Sequence, residues 1–340
     1  MHGHDIIVIG ASAGGVEALS QLVRDLPEDL PAAVFVVLHL SAESPSMLPR
    51  ILSRAGKLPA FQPQHGEEIR HGNIYVAPPD HHLLVHKGHV GVVHGPKENR
   101  SRPAVDPLFR SAARWYGPRV VGVVLTGALD DGTVGMMVVK QRGGIAVVQD
   151  PYDALYPSMP VSVMQNCQVD HIAPLAEIPR LLAQLAATPA EDEGAYPVSE
   201  HLDMEVQIIE GFDSHPEVLD RLGTPSYFTC PECHGTLWEM QDGDLPRFRC
   251  RTGHAYSAES MMAEHNESME AALWAAVRAL EESVTLSRRL AERAHRFNHS
   301  IVEKKFADKA EETERDANLI RNLLLSRKEI TEQPDLSVAG

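Results

Sequence analysis

The sequence predicts an α/β fold: a doubly wound, mostly parallel sheet with a small β insertion, followed by smaller C-terminal parts. Three observations predict it. Ile6-Ile7-Val8-Ile9 and the run 32–38 are apolar without alternation, as strands buried on both faces are. Helix-like stretches separate such runs through the first half of the chain, the order that builds a parallel sheet covered on both sides. Gly10-Ala11-Ser12-Ala13-Gly14-Gly15 follows the first run directly and turns it into a helix start. With 340 residues, 43% of them hydrophobic, the chain can bury a large core without disulfides.

In order, the pattern predicts a strand over 5–10, a helix over 16–25, a strand over 32–38 ending at His39, and a helix over 46–54. Residues 61–95 differ. The runs 73–77 and 83–85 read as short strands, and Lys87-Gly88 turns into 89–93, together a small antiparallel insertion. Alternation resumes with a helix over 107–116, a central strand over 119–125, a loop over 126–132 and a helix over 133–142. Strands over 145–149 and 168–172 and a closing helix over 174–186 complete a Rossmann-like domain at 1–187.

The formal net charge is −16, which opposes nonspecific nucleic-acid binding. No apolar run reaches the roughly 18–20 residues that span a bilayer, and no signal peptide opens the chain. A cytoplasmic protein without membrane insertion is expected.

Ser12 follows the first strand, His39 the second, and Asp131 a third across a short loop. Sites in open parallel sheets form outside the carboxyl ends of strands, so the three side chains can converge. Serine, histidine and aspartate are the set acyl transfer needs: nucleophile, base and orienting acid. Backbone N–H groups beyond Ser12 would hold an oxyanion. Alternatives stand beside this. Ser12 can cap the helix that follows, His39 can be structural, and Asp130 and Asp131 can cap the next helix. A phosphate loop fits less well. The glycines lack the Gly-x-Gly-x-x-Gly spacing, no Gly-Lys-Ser/Thr follows, and His39 stands where a ribose-binding acid would close the second strand.

Five motifs occur in one order: Gly10-Ala11-Ser12-Ala13-Gly14-Gly15, Val37-Leu38-His39, Arg102-Pro103-Ala104-Val105-Asp106, Leu125-Thr126-Gly127 with Asp131-Gly132, and Pro157-Ser158-Met159-Pro160. Together they resemble the catalytic domain of the CheB protein-glutamate methylesterases, over roughly residues 6–187. The resemblance implies hydrolysis of glutamyl methyl esters on chemoreceptor helices, with glutamine deamidation in some members and no cofactor for catalysis. It makes Ser12 the nucleophile, His39 the base and Asp131 the orienting acid, with Ala13 and Ala128 supporting the oxyanion through their backbone. Here Ala13 replaces a frequent Thr, Ala128 a frequent Met, and Asp130 an uncharged residue. Many members begin with a phosphorylatable receiver domain; with the first strand at Asp5, control by phosphorylation in cis is not expected. Arg50, Arg54, Arg100 and Arg102 are candidate contacts for an acidic receptor helix, Arg100 and Arg102 foremost. His81, His82, His86, His89 and His94 lack a metal-ligand spacing.

Residues 188–220 hold ten acids and no Lys or Arg, so 188–224 reads as an acidic, partly disordered linker, within which Val206-Gln207-Ile208-Ile209 is apolar enough to pack. Cys230-Pro231-Glu232-Cys233 and Cys250…His254 then pair four ligands across a hairpin whose strands, 237–240 and 247–249, are joined through Asp242-Gly243. Two ligand pairs on two turns suit tetrahedral zinc at Cys230, Cys233, Cys250 and His254, closed and therefore structural. This is a zinc-ribbon-like module at 225–256. Two Gly- and Pro-free stretches, 258–296 and 301–326, form a helical hairpin at 257–330. Their stripes are Met269, Leu273, Val277, Leu280 and Val284, and Val302, Phe306, Ala310, Ala317, Ile320 and Leu324. The hairpin offers a surface for a homodimer or a signalling partner. Two functions follow: a serine esterase acting on methylated receptor or sensory-protein helices, or a catalytically weak adaptor that binds its partner through the ribbon and helices.

Overall fold

The structure, a computed structural model, describes residues 3–39, 46–211, 216–242 and 245–331. It divides into two units, Met1–Met261 and Met262–Gly340. The first contains β1 (Ile6–Ala11), α1 (Gly15–Arg24), β2 (Ala33–Leu38), α2 (Leu48–Ala55), β3 (Ala60–Phe61), β4 (Ile74–Val76), β5 (His82–His86) and β6 (His89–Val93). It continues with α3 (Val105–Tyr116), β7 (Val120–Val124), α4 (Thr133–Gln141), β8 (Ile145–Gln149), α5 (Ser158–Asn166), β9 (His171–Ala173) and α6 (Ile178–Ala187). Then come α7 (Glu200–Ile209), α8 (Pro216–Leu222), β10 (Thr224–Thr229), β11 (Thr236–Asp242), β12 (Leu245–Cys250) and β13 (Ala255–Ser257). The helices α9 (Ala258–Arg296) and α10 (Ser300–Thr331) close the chain.

Seven parallel strands form one sheet in the order β3-β4-β2-β1-β7-β8-β9. Successive side chains leave a strand on opposite faces. In β1, Ile7 and Ile9 enter the core under α1, α2 and α6, while Ile6 and Val8 enter the core under α3 and α4. Both faces are buried, which is why these runs are continuously apolar. The sheet order grows in two directions from β1, and β2, β1 and β7 lie side by side, so the loops at their carboxyl ends meet.

Two expectations differ from the structure, and one further element was not expected. The run at 73–77 is not part of an antiparallel insertion: β4 pairs parallel with β2 and β3, and only β5 and β6 form a hairpin. Tyr75 is buried, pairs in register with Phe35 and stacks on it at 5.0 Å, a long-range contact absent from the local pattern. A helix, α5, follows Pro157, where Pro160 and two valines obscured it. The expected linker carries α7 and α8. Leu202 and Val206 of α7 are buried in the core that holds α3, and the acids lie largely on its other positions, so the segment packs rather than floats. The ribbon is an antiparallel sheet in the order β10-β11-β12-β13 and belongs to the first unit. Gly243 of its expected turn lies outside the described residues.

In the second unit, Val277, Val284, Ala294, Ala310, Ala317 and Leu324 are buried along one seam. Arg288 bonds Glu314 at 2.6 Å and Arg321 pairs with Glu281, a register that runs the two helices antiparallel. Among the described residues, no helix is long and apolar enough to cross a membrane.

Candidate active site

Ser12 sits where β1 ends and before α1 begins. Gly14 makes the turn possible: it caps α1 with φ at 74°, a left-handed conformation that glycine adopts without steric cost. The Ser12 N–H donates to the Thr126 carbonyl at 3.0 Å, and the Thr126 hydroxyl donates to the Ala13 carbonyl at 3.0 Å. These bonds tie the turn after β1 to the loop after β7.

His39 follows β2 directly. Its Nδ1 lies 3.0 Å from Ser12 Oγ and its Nε2 lies 2.7 Å from Asp131 Oδ2. Asp131 is ionised and accepts only, so Nε2 carries the ring proton and Nδ1 presents its lone pair to the Ser12 hydroxyl. The ring is thus set with Nδ1, rather than Nε2, toward the hydroxyl.

Asp131 is buried and accepts four hydrogen bonds. Oδ2 takes His39 Nε2 and the Val105 N–H at 2.7 Å each; Oδ1 takes Asn99 Nδ2 at 2.9 Å and the Asp106 N–H at 3.2 Å. Val105 and Asp106 open α3, so the carboxylate rests on the positive end of a helix. Burial pushes its carboxyl up, but the His39 bond and charge, the Val105 N–H and Asn99 outweigh this and hold it below the usual range. Gly10 permits this seat. A Cβ there would lie 2.3 Å from Val105 Cγ1, so only glycine lets the start of α3 press against β1.

Asn99 escaped sequence reasoning, and Asp106 entered it only as part of a motif, with no role at the site. Asn99 sits in an aperiodic loop; its signal is a left-handed φ of 47°, which asparagine tolerates better than most residues. Its Nδ2 donates to Asp106 Oδ2 and to Asp131 Oδ1, both at 2.9 Å. Asp106 Oδ1 also accepts the N–H groups of Gly132 at 3.1 Å and Gly135 at 2.6 Å. Burial, with the charge of Asp131 beside it, pushes the Asp106 carboxyl up to about 8. Asp130 turns away from this group and accepts from Ser257 Oγ at 2.7 Å.

Of the other expected site residues, Ala128 is exposed and Ala13 half-buried at the turn. Among the described residues, neither backbone N–H donates to an acceptor. Arg102 is occupied: Nε and Nη2 bind Asp80 Oδ1 at 2.9 and 2.7 Å, and Nη1 binds the Gly95 carbonyl at 2.7 Å. That guanidinium holds the loop 80–102 together. Arg100 is half-buried, while Arg50 and Arg54 are exposed on α2. Tyr152, Leu155 and Tyr156 form an exposed apolar rim, and Leu155 lies over Gly14. The five histidines of the hairpin region do not form a metal set. His82 is buried, bonded to the Pro96 carbonyl at 2.9 Å and pushed down to about 4 by burial, while His86 stacks on His89.

Cys230, Cys233, Cys250 and His254 bring four donor atoms within 4.8 Å of one another. Cys233 Sγ lies 3.6 Å from Cys250 Sγ, and His254 Nδ1 lies 3.7 Å from Cys230 Sγ and 3.5 Å from Cys250 Sγ. Zinc–sulfur bonds of about 2.3 Å in a tetrahedron give edges of about 3.8 Å. The donor set therefore fits one metal ion with four protein ligands.

Residues 7–182 match the family model described as CheB methylesterase. The chain is 38% identical over 183 residues to a putative protein-glutamate methylesterase/protein-glutamine glutaminase of Leptospira interrogans, across 54% of this chain and 95% of that protein. It is 38% identical over 181 residues to protein-glutamate methylesterase/protein-glutamine glutaminase 2 of Anaeromyxobacter dehalogenans, across 53% of each. A crystal structure of the Thermotoga maritima CheB methylesterase catalytic domain superposes with a TM-score of 0.51 at 34% identity, covering 53% of this chain and 98% of that one.

Proposed function

The chain belongs to the CheB methylesterase family, and from that premise we propose that it is a serine esterase that hydrolyses glutamyl methyl esters on chemoreceptors or related sensory proteins. The observation that carries this reading is the hydrogen-bonded line Ser12–His39–Asp131 at 3.0 and 2.7 Å.

Ser12 Oγ attacks the ester carbonyl carbon as its proton passes to His39 Nδ1. Asp131 holds the opposite ring nitrogen and stabilises the imidazolium. The backbone N–H groups of Ala13 and Ala128 donate to the oxyanion. The carbon–methoxy bond breaks, and His39 returns the proton to the leaving oxygen as methanol. Water, deprotonated by His39, then attacks the glutamyl-Ser12 ester. The Ser12 Oγ–carbon bond breaks, Ser12 recovers its proton, and a free glutamate side chain leaves. A glutamine side chain would follow the same path with ammonia as the leaving group. Arg100 and the rim of Tyr152, Leu155 and Tyr156 face the receptor helix. Arg102 contributes by supporting the loop.

The cysteine–histidine cluster takes zinc in a structural role, since four protein ligands leave no position for water. Metal analysis of the purified chain should give about one zinc per chain, lost when Cys230 and Cys233 are both replaced by serine.

The nucleophile is tested with a fluorophosphonate probe, located by mass spectrometry. Labelling at Ser12 that disappears in His39→Gln supports the reading. A wild-type chain that resists the probe, or is labelled elsewhere, contradicts it.

A further inference from the structure

The back of the Asp131 carboxylate does not end within the parallel-sheet domain. Asn99, which donates to Asp131 and Asp106 through Nδ2, accepts through Oδ1 from the Ser257 N–H at 3.0 Å and from Ser260 Oγ at 3.2 Å. Both hydrogens and both lone pairs of the carboxamide are used, so its orientation is fixed: the amide nitrogen faces the carboxyl groups of Asp131 and Asp106 and the oxygen faces Ser257 and Ser260. The Asn99 N–H also donates to the Ala255 carbonyl at 2.9 Å, and the Ala255 N–H to the Lys97 carbonyl at 3.2 Å. Ser257 Oγ donates to Asp130 Oδ1 at 2.7 Å, one residue from Asp131.

The Ala255 contacts sit one residue from a metal-ligand candidate, and so does Arg249. His254 precedes Ala255, and Cys250 follows Arg249. Arg249 is buried, with Nη2 bonded to Glu98 Oε1 and Glu205 Oε1 at 2.9 Å each and Nη1 bonded to the Gly253 carbonyl at 2.9 Å. Glu98, beside Asn99, also takes Arg110 Nη2 at 2.6 Å. The turn 250–254 that holds two ligands is thereby clamped at both ends to residues 97–99.

We propose that the Cys230–Cys233–Cys250–His254 module is a positioning element for the active site, in which bound zinc fixes the turn 250–254 and, through Ala255, Ser257 and Ser260, the Asn99 carboxamide that holds Asp131. Asn99, Ser257 and Ser260 are positioning residues; none touches the reacting atoms. Zinc loading then sets the fraction of chains with a competent Asp131–His39 pair. This rests on the esterase reading for its kinetic consequence, though not for its structural one.

The test uses the full chain in three forms: zinc-loaded, stripped with a chelator, and the zinc-retaining double variant Ser257→Ala/Ser260→Ala. Zinc content, kcat and KM for methanol release, and the low-field proton on His39 Nε2 by NMR are measured on each. Stripping is expected to lower kcat on the order of tenfold or more with KM little changed, reversed by added zinc. The Nε2 proton signal should broaden or move upfield in step. The double variant keeps the Ser257 N–H on Asn99 Oδ1 but removes the Ser260 hydroxyl from that oxygen and the Ser257 hydroxyl from Asp130, so it should show both changes, in smaller size, at full zinc occupancy. Unchanged kcat and an unchanged Nε2 proton in the double variant overturn the proposal, whatever stripping does to the ribbon. A wild-type chain that releases no methanol but whose Nε2 proton responds to zinc removes the esterase reading and keeps the coupling.

Discussion

His39 meets Asp131 through Nε2 at 2.7 Å, and that contact decides which ring nitrogen faces Ser12. With the proton held on Nε2, Nδ1 is left to the Ser12 hydroxyl at 3.0 Å. Asp131→Asn puts an amide where a carboxylate now accepts four bonds. The ring loses its tautomer lock and the imidazolium loses its counter-charge. A kcat lower by about 10³–10⁴, with a smaller change in KM, is expected from steady-state methanol release.

Gly10→Ala tests the seat of that carboxylate from the other side. The new Cβ would enter Val105, whose N–H bonds Asp131 at 2.7 Å. The start of α3 must move, so kcat should fall at least tenfold while stability drops by about 1–3 kcal/mol. Urea unfolding beside kinetics separates the two effects.

Asp130 gives a pH signature. Burial pushes its carboxyl up to about 6; the Ser257 hydroxyl works against this, and the charges of Glu259 and Asp131 add to it. A carboxyl raised above its unfolded value of 3.8 contributes stability in full below that value and loses it as pH rises through 6. Asp130→Asn keeps an acceptor for Ser257 and removes the ionisation. The variant should exceed wild type by on the order of 2 kcal/mol at pH 7, a difference that closes near pH 4, read from urea midpoints at both.

Glu98 lies between two buried guanidiniums, Arg110 at 2.6 Å and Arg249 at 2.9 Å. Burial opposes its ionisation, but those charges hold it well below the usual range. Glu98→Gln leaves both cations short of a counter-charge, so a loss of about 3 kcal/mol or more is expected in chemical unfolding.

The parallel sheet was legible because β1, β2 and β7 are apolar on both faces, a pattern few other folds require. That Ser12, His39 and Asp131 come together was legible for a related reason: Ser12 and His39 follow such runs directly and Asp131 follows one across a short loop, at the strand ends where sites form. The spacing of Cys230, Cys233, Cys250 and His254 already suggested that these four side chains come together, as they do. What was not legible depends on distant contacts. The run 74–76 is too short to declare its partners, which are the distant strands β2 and β3. The acids of α7 made 188–224 look like a linker, although Glu205 is buried between Arg247 and Arg249. Local composition records the charge of Glu205 but not the cations that meet it. Asn99 and Ser257 are 158 residues apart in sequence, and nothing in either neighbourhood announces their bond.

The most direct measurement is methanol released from a methylated chemoreceptor cytoplasmic domain by wild type and Ser12→Ala side by side. A Ser12 nucleophile predicts that wild type releases methanol in proportion to time and enzyme, and that Ser12→Ala, folded by circular dichroism, releases none above the enzyme-free rate. Equal release by the two proteins would contradict a serine nucleophile at this turn.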